Sequence, residues 1–350
     1  MPESAPSHDA VLLLGFGGPE GPDDVLAFLE NVTRGRGVPR ERLEEVAEQY
    51  LLFGGRSPIN DQNRALLAAV GAELERRGRP LPLYWGNRNW EPYVEDVLRE
   101  IAEAGHRRVV AFTGSAYSSY SACRQYWEDL ERAQAAVAAA GAEPPVVDKV
   151  RPYFNHPGFV LAVVERVHAA LEELAPADRN RARLVFTAHS IPQSMASTSD
   201  YEAQLRDVAA MVAERVAAPR ASEWELVFQS RSGPRQVAWL EPDVVDHLGV
   251  ADQRGDDVVV LVPIGFTSDH MEVVYDLDTQ AAAAAADLGM TLVRARTVGT
   301  HPLFVRGLVD VLDELVVGAR PAAIGSFGPR VTPCAVGCCP APVRPGRPPT

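Results

Sequence analysis

The chain has 350 residues, a formal net charge of −13 from 34 Lys plus Arg against 47 Asp plus Glu, and four cysteines. That length accommodates one large domain or two of about 150 residues with separate cores, and 46% hydrophobic with 23% charged residues excludes a disulfide scaffold, a collagen or a disordered chain. The acidic balance disfavours non-specific binding to nucleic acid or anionic membrane, so an anionic ligand needs a local basic patch.

In chain order, residues 1–9 lack the basic and apolar regions of a secretory signal and are expected to be a disordered tail on a cytoplasmic protein. No apolar run reaches the ~18 residues of a membrane span. The longest, Val258 to Phe266, is broken by Pro263. Short apolar runs alternate with amphipathic stretches, the signature of parallel strands joined by helices. Strands are predicted at Ala10–Gly15, Pro82–Trp85, Arg108–Thr113, Arg183–Ala188, Glu225–Phe228, Asp257–Pro263 and Thr291–Ala295. Helices are predicted at Pro22–Val32, Asp61–Arg77, Glu91–Ala104, His156–Leu174, Tyr201–Val216 and Leu303–Val316. The strands divide near Pro152, which predicts an α/β fold of two doubly wound lobes with parallel sheets and a ligand crevice at the strand carboxyl ends. Residues 10–150, completed by helix 302–318, form the first lobe and residues 151–301 the second. Residues 319–350 are Pro-rich and aperiodic, yet hold Cys334, Cys338 and Cys339. No internal repeat is evident.

The first strand ends in Gly15, Phe16, Gly17 and Gly18, but the third glycine of a dinucleotide fingerprint is replaced by Glu20, a charge that would repel pyrophosphate. Small residues there also let a large flat ligand approach the backbone, or simply make a tight turn. Arg34 lies between Thr33 and Gly35, and Arg56 follows Gly54 and Gly55. Each can offer a guanidinium fork to a carboxylate, or be an ordinary surface arginine. Aromatic-rich loops follow the second and third strands at Tyr84–Trp90 and Tyr117–Tyr126, where an α/β protein places binding groups or packs its lobes together. His189 stands at the end of a buried strand, placed to be a general base, a metal ligand or a structural group. Glu272 and Asp276, at i and i+4, share a helix face, while Asp269 followed by Glu272 also fits a capping arrangement. Gln280 ends the acidic line.

Eight segments in order, LLLGFGGP, TRGRGVP, YLLFGGRSPIN, YWGNRNWEP, SAYSSYSAC, FTAHSIP, FQSRSGPRQVAWLEPDV and PIGFTSDHMEVVYDLD, together resemble the ferrochelatase family, in particular its actinobacterial coproporphyrin type. The resemblance implies a class II chelatase-like fold and insertion of Fe²⁺ into a porphyrin held in the cleft, most simply coproporphyrin III, with protoporphyrin IX as the alternative substrate and a non-catalytic tetrapyrrole or metal carrier as a more distant one. It implies that His189 and Glu272 face the porphyrin centre, receive pyrrole protons and ligate the iron, and that Asp276 extends a metal or proton path. Burial is expected to raise the glutamate's pKa. Ser57 and Tyr126 match positions that contact the porphyrin or its iron from the other side, and Arg34 and Arg56 are assigned to propionates. Some relatives bind a [2Fe–2S] cluster through one cysteine in the first half and three near the C-terminus, which implies Cys123, Cys334, Cys338 and Cys339 as ligands. Their C-x3-C-C spacing is tighter than the family's usual one. Partners are then the porphyrin, Fe²⁺ and enzymes of heme biosynthesis.

Overall fold

The computed structural model describes residues 7–35, 37–216, 218–233, 236–335 and 337–342. Strands β1 (Ala10–Gly15), β2 (Leu83–Asn87), β3 (Arg108–Thr113) and β4 (Val146–Lys149) form one parallel sheet in the order β2-β1-β3-β4. Strands β5 (Arg183–His189), β6 (Glu225–Gln229), β7 (Val258–Val262) and β8 (Thr291–Arg294) form a second, in the order β6-β5-β7-β8. The second sheet thus repeats the topology of the first. Helices α1 (Val25–Val32) and α2 (Arg40–Leu51) pack on each other in a cluster of their own, while α3 (Ile59–Arg76), α4 (Val94–Glu103) and α5 (Gln125–Ala139) pack on the first sheet. The second half carries α6 (Pro157–Glu173), α7 (Pro176–Arg179), α8 (Gln193–Ala196), α9 (Tyr201–Val216), α10 (Val244–Gln253), α11 (Met271–Tyr275), α12 (Ala282–Asp287) and α13 (Pro302–Val316).

Parallel strands are covered on both faces and read as continuous apolar runs. β1 and β7 are buried at every residue. One face of each sheet, with Val11, Leu13 and Phe112 from the first and Phe186 and Val260 from the second, joins a single continuous core that also takes in α6, α9 and α13. Of the two arrangements the length allows, the halves therefore share one core on these faces. Their outer faces pack independently, Leu12, Leu14 and Val109 beneath α4 and α5, and Val185, Val227 and Val259 beneath α10 and α12. Across the seam the Tyr117 hydroxyl donates to the Ile264 carbonyl at 2.9 Å, and the Thr267 hydroxyl to that of Gly114 at 2.5 Å.

Three expectations change. Ser7 to Asp9 belong to the fold: the Ser7 amide donates to the Val316 carbonyl at 3.0 Å, and His8 is buried against Asp148. Only residues 1–6 of the expected tail lie outside the described residues. β4 is an edge strand that the sequence did not reveal, because Asp148 and Lys149 interrupt its apolar pattern. After α13 the chain runs without regular structure, as its composition implies, but it is tied down: Ile324 to Asn155, Ser326 to Asp207, Arg330 to Asp200 and Thr332 to Lys149. Residues 343–350 lie outside the description.

Candidate active site

β5 delivers His189 at its last residue. The imidazole Nδ1 bonds the Ser190 carbonyl, which leaves Nε2 directed at the Glu272 carboxylate 3.5 Å away. Tyr201, at the start of α9, donates its hydroxyl to the His189 carbonyl at 3.1 Å. Glu272 comes from α11, and its other oxygen lies 3.2 Å from Nε2 of His270. Gln229, paired with His189 across β5 and β6, donates its side-chain amide to the Glu272 carbonyl at 2.8 Å. The two chain segments approach closely because Gly265 has no side chain: a Cβ there would stand 2.6 Å from the Ala188 Cβ.

The capping arrangement that spacing suggested does not form. His270 occupies the N-cap of α11 without a side-chain cap, and the Asp269 carboxylate instead accepts from Arg294 at 3.2 Å. After Tyr275 the helix widens into a π turn over Asp276–Ala281 before continuing as α12, a local distortion common at functional sites. Asp276 sits at this widening and accepts a hydrogen bond from the Ser230 hydroxyl. Ser230 has φ 61°, a left-handed conformation costly for a non-glycine residue.

His189 and Glu272 are enclosed by protein on most sides yet partly open to solvent, their side chains 30% and 45% exposed. Desolvation opposes charge on both, but each stabilises the other's ion: the His189 pKa is raised by Glu272, and the Glu272 carboxyl is held well below its usual range by His189 and His270. The expectation of a raised glutamate is therefore reversed. Burial, reinforced by Glu272, instead raises Asp276 to about 6, against the lowering effect of the Ser230 hydrogen bond. From the first half, Tyr50 of α2 comes near enough that burial and then Glu272 and Asp276 raise its phenol.

The remaining assigned residues lie in the first half. Ser57 is buried against Gly18, where a Cβ would be 2.6 Å from its own. Tyr126 is 7% exposed, in the outer core beneath the Arg88 guanidinium at 3.9 Å from its ring. Arg56 is engaged by Asp61 at 2.7 Å and Glu20 at 3.5 Å. Arg34 is exposed and has no ion pair among the described residues. Phe16 is 39% exposed, with Phe28 at its edge. Sequence reasoning quoted the segments holding Tyr50, Ser230 and His270 without giving those residues roles, and passed over Tyr201 because a residue opening an ordinary amphipathic helix carries no signal.

The four cysteines form a second cluster. Cys123 and Cys339 are buried and Cys334 and Cys338 half-buried, all with free thiols. Cys123 is pushed toward its thiolate by the Cys334 thiol and by Lys149, whose ammonium lies 3.3 Å from its sulfur, while Cys334 is pushed up by Cys123. Cys339 is raised to about 12 by burial and by Cys123 and Cys338. Among the described residues no three His, Cys, Asp or Glu gather around a point suited to a single metal ion.

A sequence profile of the family described as Ferrochelatase matches residues 8–315. The chain is 52% identical to a coproporphyrin III ferrochelatase of Streptomyces griseus, with 95% of this chain and 94% of that protein covered. It is 53% identical to a coproporphyrin III ferrochelatase of Frankia alni, covering 96% and 88%, and 48% identical to a ferrochelatase of Rhodopirellula baltica, covering 95% and 94%. Its fold is shared with the structure of SirB from Bacillus subtilis with Fe³⁺, at TM-score 0.54 and 13% identity over 88% of this chain and 96% of that one. The chain belongs to the ferrochelatase family.

Proposed function

We propose that this member of the ferrochelatase family is a lyase that inserts Fe²⁺ into coproporphyrin III, releasing the two pyrrole protons, as a step of heme biosynthesis in the cytoplasm. The observation that carries the reading is the His189, Glu272 and Asp276 constellation: a base, a charged carboxylate and a carboxyl near neutrality in one cleft. Each half of the exchange then has a group suited to it. The Glu272 carboxylate suits Fe²⁺ as it leaves water for the macrocycle, with neutral His189 a second donor only once its Nε2 has passed its proton on. A pyrrole proton taken at His189 Nε2 passes to Asp276, whose pKa of about 6 allows it to be received and released near neutral pH. No helix among the described residues is long and apolar enough to cross a membrane.

Arg34, exposed and without an ion pair among the described residues, supplies a fork for a propionate; Arg56, already engaged by two carboxylates, contributes less. Tyr126, buried in the outer core beneath Arg88, and Ser57, buried behind Gly18, stand behind the surface that would face the porphyrin from the other side. Cys123, Cys334, Cys338 and Cys339 hold a [2Fe–2S] cluster. Their donor set fits it: four thiols in one connected group, Cys123 with Cys334, Cys334 with Cys338 and Cys338 with Cys339, would supply the four thiolates that such a cluster takes. When bound, the cluster anchors the C-terminal strap to the first lobe. Comparing anaerobic Fe²⁺ insertion into coproporphyrin III and protoporphyrin IX tests the assignment; a preference for the latter would reverse the substrate. His189→Ala is expected to abolish insertion while porphyrin still binds, and insertion at the parent rate would remove His189 from the reaction.

A further inference from the structure

Lys149 is the only lysine in the chain, and it is buried, 5% exposed at the end of β4. Buried lysines are almost always paired with an acid. Among the described residues this one, in a chain with 47 Asp plus Glu, has no carboxylate partner. Its Nζ contacts the Cys123 sulfur at 3.3 Å and the Val150 carbonyl at 3.4 Å, and lies 5.7 Å from the Trp127 ring centre. Its own carbonyl accepts from the Thr332 hydroxyl at 2.9 Å, which leads the strap bearing the other three cysteines over it. Two more cations bear on the cysteines, Arg124 on Cys123 and Arg330 on Cys339, but each is 36% exposed and paired with an acid.

We propose that Lys149 is the built-in counter-charge of the cysteine cluster and, through its N–H···S bond to Cys123, sets the reduction potential of the [2Fe–2S] group held there. The inference rests on the cluster reading above. Four thiolates around two ferric irons and two sulfides carry a net negative charge, which grows by one when a single electron is added. A buried ammonium favours the more negative form, and hydrogen bonds to the sulfurs act in the same direction. A methionine of similar length removes both effects; an arginine keeps the charge.

The test uses the full chain, purified anaerobically as parent, Lys149→Met, Lys149→Arg and Arg124→Gln. Iron, sulfide and visible absorption are measured, and the reduction potential is found by titration with dithionite against redox dyes. At the parent's midpoint, the reduced-to-oxidised ratio of Lys149→Met is expected to fall at least tenfold, 59 mV for a one-electron couple. Lys149→Arg should stay close to the parent, and Arg124→Gln should move less than Lys149→Met. An unchanged potential in Lys149→Met, or an equal shift in Arg124→Gln, overturns the proposal. If Lys149→Met folds by near-ultraviolet circular dichroism but holds no cluster, retention in Lys149→Arg supports the role of charge and loss in both overturns it. If Lys149→Met does not fold, the potential of Lys149→Arg decides, a parental value supporting the proposal and a displaced one overturning it. A parent with reduced thiols but neither iron nor sulfide removes the cluster reading itself, and this inference with it.

Discussion

Replacing Glu272 with glutamine keeps the shape of the side chain and removes its charge, so the perturbation isolates what that charge does to His189. The imidazole Nε2 and the carboxylate oxygen are 3.5 Å apart. At that separation two unit charges interact by about 5 kcal/mol at an effective dielectric constant of ~20 and by about 1 kcal/mol in water. Both side chains are partly open to solvent, 30% and 45% exposed, so solvent screens the pair and the lower part of that range applies. A loss of about 1–2 kcal/mol corresponds to a fall of about one unit in the His189 pKa. The sign follows from the folded state: His189 is raised because Glu272 stabilises its cation, so removing the charge makes the neutral ring available at lower pH. The assay is a proton NMR titration of the histidines, assigned by His189→Ala, on protein without porphyrin or iron. A His189 pKa within about 0.3 unit of the parent would refute the ion pair.

Arg34→Gln is expected to raise the KM for coproporphyrin III severalfold with little change in kcat, whereas Arg56→Gln stays near the parent because Asp61 and Glu20 already hold that guanidinium; steady-state kinetics that rank the two the other way would reassign the propionate site. Gly265→Ala places a Cβ 2.6 Å from the Ala188 Cβ and 2.7 Å from its Cα, so overpacking of about 1–3 kcal/mol and a lower Tm are expected, together with lost iron insertion as His189 moves. His156 caps α6 by accepting the Gly158 amide at Nδ1, and burial, opposed by Asp310 and assisted by Arg151 and Arg77, lowers its pKa to about 4. The unfolded chain then takes a proton near pH 6.5 that the folded one refuses until about 4, so stability is complete above 6.5 and falls by up to about 3 kcal/mol toward pH 4. Urea unfolding at pH 7 and 4.5 should show a smaller loss in His156→Asn, which keeps a cap without the titration; equal losses would remove His156 as a cause.

What could be read from the sequence divides along physical lines. β1, β3, β5 and β7 are legible because central parallel strands are buried on both faces and must be apolar throughout. β4 is not, because an edge strand tolerates Asp148 and Lys149 and leaves Val146 57% exposed. The repeated order of the two sheets leaves no trace either, since topology constrains burial pattern and not residue identity. His189 and Glu272 stand out by their segments, but the ionisation of Glu272 depends on where His189 Nε2 and His270 come to rest, and spacing along the chain cannot report that. The same limit explains the capping reading: nothing near Asp269 in sequence says that Arg294, on a different strand, will claim its carboxylate.

The two halves repeat one topology but divide the chemistry between them. Strand β1 of the first sheet ends at Gly15, where even a methyl group would stand 2.3 Å from the Asn87 side-chain oxygen, and the chain continues into exposed Phe16. Its counterpart in the second sheet, β5, ends in His189. The first half therefore contributes backbone and aromatic surface at that strand end, and the second contributes groups that change charge. On the proposed reaction this asymmetry gives metal and protons a common side, and the differing ionisation of the two acids separates their tasks. Glu272, held charged by two histidines, attracts a divalent cation but is a poor proton carrier near neutral pH; Asp276, raised to about 6 beside it, can accept and release protons there. Exchanging those environments would leave the same residues together without that division of labour, so on the proposed reaction the π turn that sets Asp276 against Ser230 matters as much as the acids do.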